Sequence, residues 1–215
     1  TDMKVLVLGG NGFVGRQMCR EAISRHHQVY SLSRSGQPHV DDPILREVTW
    51  VKGDATISSQ YPDADFDVIV HCIGRLWESK EGGTFQSASY RTTMAMLDYA
   101  RKSTKPVRIG YVSADDFSGL AKWVMPGYFE WKRRAEDALQ AGEVDYACVY
   151  RPGLIYGWDR PISVIFAYAY NLIYWVSGGL FPPAVPVERL AKSMMDRLST
   201  AHDQKYELVL AKNII

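Results

Sequence analysis

A chain of 215 residues with 47% apolar and 23% charged side chains has the material for one packed α/β domain, which excludes a disordered chain and leaves little room for two independent domains. A net charge of +1 gives no support to nucleic-acid binding, and the basic run Lys132-Arg133-Arg134 reads as the solvated side of a helix. Cys19, Cys72 and Cys148 stand far apart without Cys-x-x-Cys or a companion histidine pattern, so neither a metal site nor a disulfide framework is expected, and a reducing compartment is the simpler reading. The chain enters a strand almost at once, so either the compartment is cytosolic or a targeting segment lies upstream.

Lys4-Val5-Leu6-Val7-Leu8 is a short apolar run that stops on glycines spaced Gly9-x-x-Gly12-x-x-Gly15, with helical character from Arg16 to Arg25. That order predicts a buried strand, a tight turn and a helix N-terminus. Glycine admits φ > 0 and lets backbone pass close to a ligand, while the helix start offers N–H groups and a positive dipole end to a phosphate. The pyrophosphate of a dinucleotide suits such a turn; the plainer alternative is a connection with no ligand.

Gln28 to Ser33 alternates as a second strand, at whose tip a dinucleotide fold meets the adenosine ribose. An acidic residue there would bond the 2′-hydroxyl of NAD. This chain places Ser33, Arg34 and Ser35 there, and a guanidinium suits a 2′-phosphate, so NADP(H) is favoured over NAD(H); the alternative is an Arg34 that stacks on adenine or sits in solvent. Residues 47–52 form a third strand closed by Gly53-Asp54-Ala55, where Asp54 either accepts from the adenine amino group or caps the next turn. Residues 66–73 read as a central strand ending at Gly74, whose missing side chain leaves room for the nicotinamide ribose, and His71 inside it reads as a hydrogen-bonded core residue. Residues 75–89 look like a loop over the cofactor edge, 90–103 like a helix, and 105–112 like a fifth strand ending in Ser113-Ala114-Asp115.

Residues 127–141 carry an unbroken helical pattern stopped by Gly142. Within it Tyr128 and Lys132 are four apart and share a face. A phenol of pKa about 10 is a poor acid–base group at neutral pH, and an adjacent ammonium would lower it, making Tyr128 a proton donor to a carbonyl oxygen or the base for the reverse step. Ser113, at the carboxyl end of the preceding strand, would face the same crevice and bond the same oxygen. Against this stands the plain alternative of a surface helix with one aromatic and one basic residue.

The stretch from Ile162 to Ser177 has no charge and is crowded with Phe166, Tyr168, Tyr170, Tyr174 and Trp175. As a helix it is about 24 Å long, short of the roughly 30 Å hydrocarbon core, so no transmembrane span is expected. It is a buried or capping helix, a docking surface for a partner subunit or a membrane surface, or a channel for a prenyl chain. Pro182 to Pro186 reads as an extended connector, 187–198 as an amphipathic helix and 206–210 as a last strand.

Taken together, Gly9-x-x-Gly12-x-x-Gly15, Asp54, Ser113, Tyr128-x-x-x-Lys132 and Arg151-Pro152-Gly153-Leu154-Ile155-Tyr156-Gly157 resemble an atypical short-chain dehydrogenase/reductase of the extended type, in family order from residue 4 to about 200. The resemblance implies that Lys132 also bonds the nicotinamide ribose and that Pro152 and Gly153 lie beside the nicotinamide. The Ser113 to Tyr128 spacing is slightly long for the family. A narrower similarity, carried by Ser31-Leu32-Ser33-Arg34-Ser35-Gly36, Val48-Thr49-Trp50-Val51-Lys52-Gly53-Asp54 and the Pro182 to Ala191 stretch, is to small organellar NAD(P)-binding proteins linked to coenzyme Q biosynthesis and, more distantly, to the nucleotide-binding accessory subunit of respiratory complex I.

The expected architecture is thus a Rossmann-type doubly wound parallel sheet of six to seven strands, with 1–160 binding NAD(P) and 161–215 a reduced C-terminal lobe of the same domain. The expected cofactor-binding residues are Gly9, Asn11, Gly12, Phe13, Val14 and Gly15 in the turn, Arg34, Asp54 and Ala55 at the adenosine end, and Cys72, Ile73, Gly74, Lys132, Pro152 and Gly153 at the nicotinamide end. Ser113, Tyr128 and Lys132 are the expected catalytic group. An NADP(H)-dependent oxidoreductase and a non-catalytic accessory subunit of a mitochondrial membrane complex are the two functional expectations. The resemblance implies an organelle, with the matrix side of the mitochondrial inner membrane favoured over the plastid.

Overall fold

Strands covered on both faces read as continuous apolar runs, and the centre of this sheet is built from such strands, with less covered ones at its edges. A computed structural model describes residues 2–75, 78, 83–115, 125–178 and 182–214. The main sheet is formed by β1 (Lys4–Leu8), β2 (Gln28–Ser33), β3 (Thr49–Lys52), β4 (Val68–His71), β5 (Arg108–Val112), β6 (Tyr146–Arg151) and β9 (Tyr206–Leu210), all parallel, in the order β3-β2-β1-β4-β5-β6-β9. This is the doubly wound order, and its direction reverses between β1 and β4, where such sheets open a crevice beyond their strand ends.

Helices α1 (Phe13–Ser24) and α5 (Val187–Ser199) cover one face of the sheet through Met18, Cys19, Leu190 and Met194. On the other face α2 (Thr92–Arg101) and α3 (Pro126–Ala141) pack Met96, Leu97, Ala135 and Leu139 against Ile69 and Ile109. The short strands β7 (Ile155–Tyr156) and β8 (Val185–Pro186) form a separate parallel pair, so the expected connector at 182–186 is partly a strand.

Three further elements differ from the sequence expectation. Strand β6 was missed in Tyr146-Ala147-Cys148-Val149-Tyr150-Arg151, an apolar run ending at Pro152-Gly153, and it is the buried neighbour of β5. The 90–103 helix begins earlier, as a π-helical turn at Ser87–Arg91, because Thr84 and Ser87 cap one another reciprocally, Thr84 N–H to Ser87 Oγ at 2.9 Å and Ser87 N–H to Thr84 Oγ1 at 3.1 Å. The expected loop therefore ends well before Ser89; its residues 76, 77 and 79–82 lie outside the described ones.

The third is α4 (Pro161–Val176), whose only buried residue is Ala167. The reading of this stretch as a buried helix is overturned, although its inner side lies over Gly153 through Tyr170. Ile165, Phe166, Tyr168, Leu172 and Trp175 are each more than half exposed, because the helix docks through its small and polar residues and turns its large ones outward. Among the described residues no helix is long and apolar enough to cross a membrane.

Candidate active site

At the end of β1 the chain turns at Gly9, whose φ of 81° is open to glycine at little cost, and Gly9 N–H donates to the Leu32 carbonyl at 2.9 Å. The Gly12 N–H donates back to the Gly9 carbonyl at 3.0 Å and α1 begins at once. Gly15 admits the close approach of helix to turn: a Cβ there would lie 2.1 Å from the Gly9 carbonyl oxygen. No side chain caps the first turn of α1 and no acidic residue stands in it, so the positive end of the helix dipole is left uncompensated there. These features fit the pyrophosphate of a dinucleotide.

The tip of β2 is tied to this turn, since Asn11 Nδ2 donates to Ser35 Oγ, and Arg34 stands exposed beside it. Asp54 accepts from both the Thr56 N–H, at 2.9 Å, and the Thr56 hydroxyl, at 2.8 Å, an Asx turn that leads into a short 3-10 turn at Ser58–Gln60. The Asp54 carboxylate is held by Thr56 and makes no cap bond to the 3-10 turn, and Ala55 beside it is buried. Across the switch point Cys72 N–H donates to the Leu8 carbonyl at 3.0 Å, and Ile73 closes on Gly9, whose absent Cβ would meet Ile73 Cγ1 at 2.9 Å. Gly74 is exposed at the strand end.

The far wall is made by α3. Lys132 is 2% exposed, donates from Nζ to the Val112 carbonyl at 2.8 Å and lies 4.8 Å from the centre of the Tyr111 ring. Its Nζ comes within 3.9 Å of where a Cβ on Gly74 would be, which sets the ammonium at the expected nicotinamide end of the crevice. Burial lowers its pKa to about 8, against the pull of Glu136. Between that value and the ordinary 10.5 the unfolded chain binds more protons than the folded one, so the cost of burying the charge is complete below pH 8 and fades as pH rises. Lys132→Met is expected to raise stability by about 1–2 kcal/mol at pH 7, part of the gain being offset by the lost bond to Val112. Paired thermal melts of variant and native chain should show that difference shrink between pH 8 and pH 10; equal melting points at pH 7 would sink the idea.

Tyr128, one turn away, packs its ring on Phe85 and Phe129 at 5.7 and 4.9 Å. The expected depression of its pKa by Lys132 is not found: burial raises the phenol, and the charge that opposes this is Arg133. The Lys132 ammonium is spent on Val112 and Tyr111 instead, and the phenol is held protonated.

Ser113 follows β5, with its N–H on the Tyr150 carbonyl at 2.8 Å. Its hydroxyl does not point to an empty crevice. It donates to Glu136 Oε1 and accepts from Arg133 Nη1 at 3.3 Å. Glu136, 2% exposed, is the centre of this cluster: Arg133 Nη1 also donates to Oε1, and Arg151 reaches Oε1 and Oε2 from Nε at 3.2 and 3.0 Å and Oε2 from Nη2. Arg133 also holds the Ala114 carbonyl at 2.7 Å, so it is part of the interior and not of a solvated face. Sequence reasoning missed Glu136, although a signal was present. Tyr128, Lys132 and Glu136 are successive i, i+4 positions, so the face that carries the first two carries the third.

His71 is a core residue. Its Nε2 bonds Thr92 Oγ1 at 2.6 Å, and burial together with the Lys132 charge pushes its pKa to about 3, which makes it no base at neutral pH. Beyond β6 the Pro152 carbonyl accepts from Asp115 N–H at 2.9 Å, and Gly153 lies under Tyr170 and Pro182, whose atoms come within 3.2 and 3.1 Å of a Cβ built on it. The structure thus brings Gly9, Gly12 and Gly15 together at the end of β1, sets Ile73 against Gly9 and sets Lys132 against Gly74.

A parallel sheet in this order with a glycine turn at its switch point defines a Rossmann-type NAD(P)-binding protein. Residues 5–159 match the NAD dependent epimerase/dehydratase family, and the chain belongs to it. Among curated proteins it is similar to a chloroplastic Arabidopsis thaliana protein, 33% identical over 155 residues, covering 72% of this chain and 51% of that protein. It is also similar to MIOREX complex component 2 of Saccharomyces cerevisiae, 37% identical over 84 residues, covering 36% of this chain and 30% of that protein. The chain therefore spans about half the length of the first relative and under a third of the second. Its fold is that of an epimerase-like structure from Burkholderia cenocepacia (TM-score 0.74, 15% identity, 99% of this chain and 78% of that one). It is also that of ElxO with NADP bound (TM-score 0.71, 15% identity, 100% and 99%) and of the Bordetella bronchiseptica enzyme WbmH with NAD+ (TM-score 0.69, 15% identity, 96% and 75%).

Proposed function

We propose that this chain is an NADP(H)-dependent oxidoreductase of an organelle, connected to quinone metabolism. The observation that carries the catalytic part is the buried Lys132 beside Gly74 with Tyr128 one turn away on the same helix. Bound in the crevice, the nicotinamide supplies or accepts a hydride. Lys132, held in place by the Val112 carbonyl, would bond the ribose, and Tyr128 would give its proton to the carbonyl oxygen being reduced. A phenol that burial keeps protonated suits reduction better than oxidation. Ser113 would orient the carbonyl on leaving Glu136. Gly9, Asn11, Gly12, Phe13, Val14 and Gly15 would hold the pyrophosphate, Asp54 and Ala55 the adenine, and Cys72, Ile73, Pro152 and Gly153 the nicotinamide. The organelle rests on the chloroplastic relative and on the resemblance of the motifs, and the preference for the mitochondrion over the plastid rests on that resemblance alone.

NADP(H) is favoured because Ser33, Arg34 and Ser35, and no acid, stand at the tip of β2. Arg34→Glu is expected to shift the ratio of NADPH to NADH affinity by about 10- to 100-fold toward NADH. Dinucleotide titration of native chain and variant checks this, and an unchanged ratio would remove Arg34 from the site. Turnover of NADPH with a panel of ketones and quinones tests the enzyme reading. No turnover with any of them, alongside tight nucleotide binding, would favour a second reading, that of a nucleotide-bound accessory subunit of a mitochondrial membrane complex such as respiratory complex I. The exposed apolar surface of α4 is the observation on its side.

A further inference from the structure

Helix α4 inverts the ordinary distribution of polarity. At about 100° per residue, its outer half carries Ile162, Ile165, Phe166, Tyr168, Leu172 and Val176, all between 62% and 80% exposed. Its inner half holds the polar groups: Ser163 bonds the Arg160 carbonyl, Asn171 Oδ1 accepts from Ala184 N–H at 2.9 Å, and Tyr170 lies against Gly153. A surface helix normally points such an apolar stripe at the core.

We propose that α4 is an in-plane membrane anchor whose outer half sits in the acyl margin of an anionic lipid bilayer. The apolar arc spans about half the circumference, whereas the stripe a helix buries against protein is about 100° wide, so a second copy of this ridge would leave both margins bare. A fluid acyl phase covers a half-cylinder completely. Protein interfaces also carry about one hydrogen bond per 100–200 Å², and the side-chain donors of this outer half are the Tyr168 hydroxyl and Trp175 indole. Those two lie together along one margin, where amphipathic aromatics meet headgroups. A cation stands at that margin: Arg189 shares a surface depression with Trp175, while Asp159, just before the helix, is taken up by Arg16 and Arg20 and Arg160 lies over the Phe13 ring. The 16 residues of α4 make about 24 Å, too short to span and long enough to lie in the interface. Because Tyr170 on the inner half borders Gly153, an anchor here would open the crevice at the membrane surface. The proposal does not depend on whether the site is catalytic.

The full chain is expected to sediment with vesicles of phosphatidylcholine mixed with phosphatidylglycerol, more strongly than with phosphatidylcholine alone, and its tryptophan emission to shift to the blue, less so in Trp175→Phe. Ile165→Asp, at an exposed position, is expected to keep the native melting temperature and to weaken partitioning by more than about tenfold. Arg189→Glu should weaken binding to the anionic vesicles alone. A chain that stays in the supernatant with both vesicles overturns the proposal. If such a chain is also a dimer that Ile165→Asp converts to monomer, the face belongs to a second copy.

Discussion

Tyr128→Phe is expected to slow NADPH-dependent carbonyl reduction by about 10²- to 10⁴-fold while dinucleotide affinity stays within about twofold. The substitution removes one oxygen. The ring contacts to Phe85 and Phe129 that hold the side chain in place remain, so the fold has no reason to respond. The crevice turn and Lys132 are untouched, which is why binding and turnover should separate. Burial raises the phenol's pKa, so at neutral pH the native side chain carries the proton that reduction needs. Single-turnover kinetics beside a nucleotide titration would read both quantities. Equal turnover by variant and native chain would eliminate Tyr128 as the proton donor.

Glu136→Gln is expected to destabilise the protein by about 3 kcal/mol and to lower Tm by about 6–12 °C. The carboxylate lies between two guanidiniums and a hydroxyl, and it ties α3 to the ends of β5 and β6. An amide of the same shape leaves Arg133 and Arg151 facing one another without their counter-charge. Their side chains are 19% and 26% exposed, so water relieves part of the penalty and the effect falls at the low end for a broken buried pair. A thermal melt decides it: a fall of less than 2 °C would show that the cluster is not what joins the helix to the strand ends. Ser113 donates to the same side chain, and the amide oxygen of the variant can still accept that bond, so the loss falls on the two guanidiniums.

Much of the fold was legible because its signals are local. The run Lys4–Leu8 followed by spaced glycines marks a strand, a turn and a helix start within a dozen residues, and the last strand lies at Tyr206–Leu210 as expected. Strand β6 was passed over although its apolar run before Pro152-Gly153 marks one, and its place beside β5 is a long-range fact that no local signal carries. The candidate site divides in the same way. The glycine turn, the tip of β2 and the Tyr128-x-x-x-Lys132 face could be read along the chain. That Lys132 bonds Val112, that Arg133 is interior, and that Glu136 and Arg151 close around Ser113 could not, because each joins elements far apart in sequence.

By itself the sequence determined the strand and helix periods, the need for glycine where φ is positive or backbones touch, the basic rather than acidic tip of β2, and the absence of charge in residues 162–177. Only the tertiary structure decided which partner each buried charge meets and which side of α4 faces out. Charge and hydrophobicity are properties of a residue, whereas a pKa shift, an ion pair or an exposed face is a property of what the fold sets beside it: Lys132 and Arg134 read alike in the chain, yet one is buried under Tyr111 and the other stands in solvent.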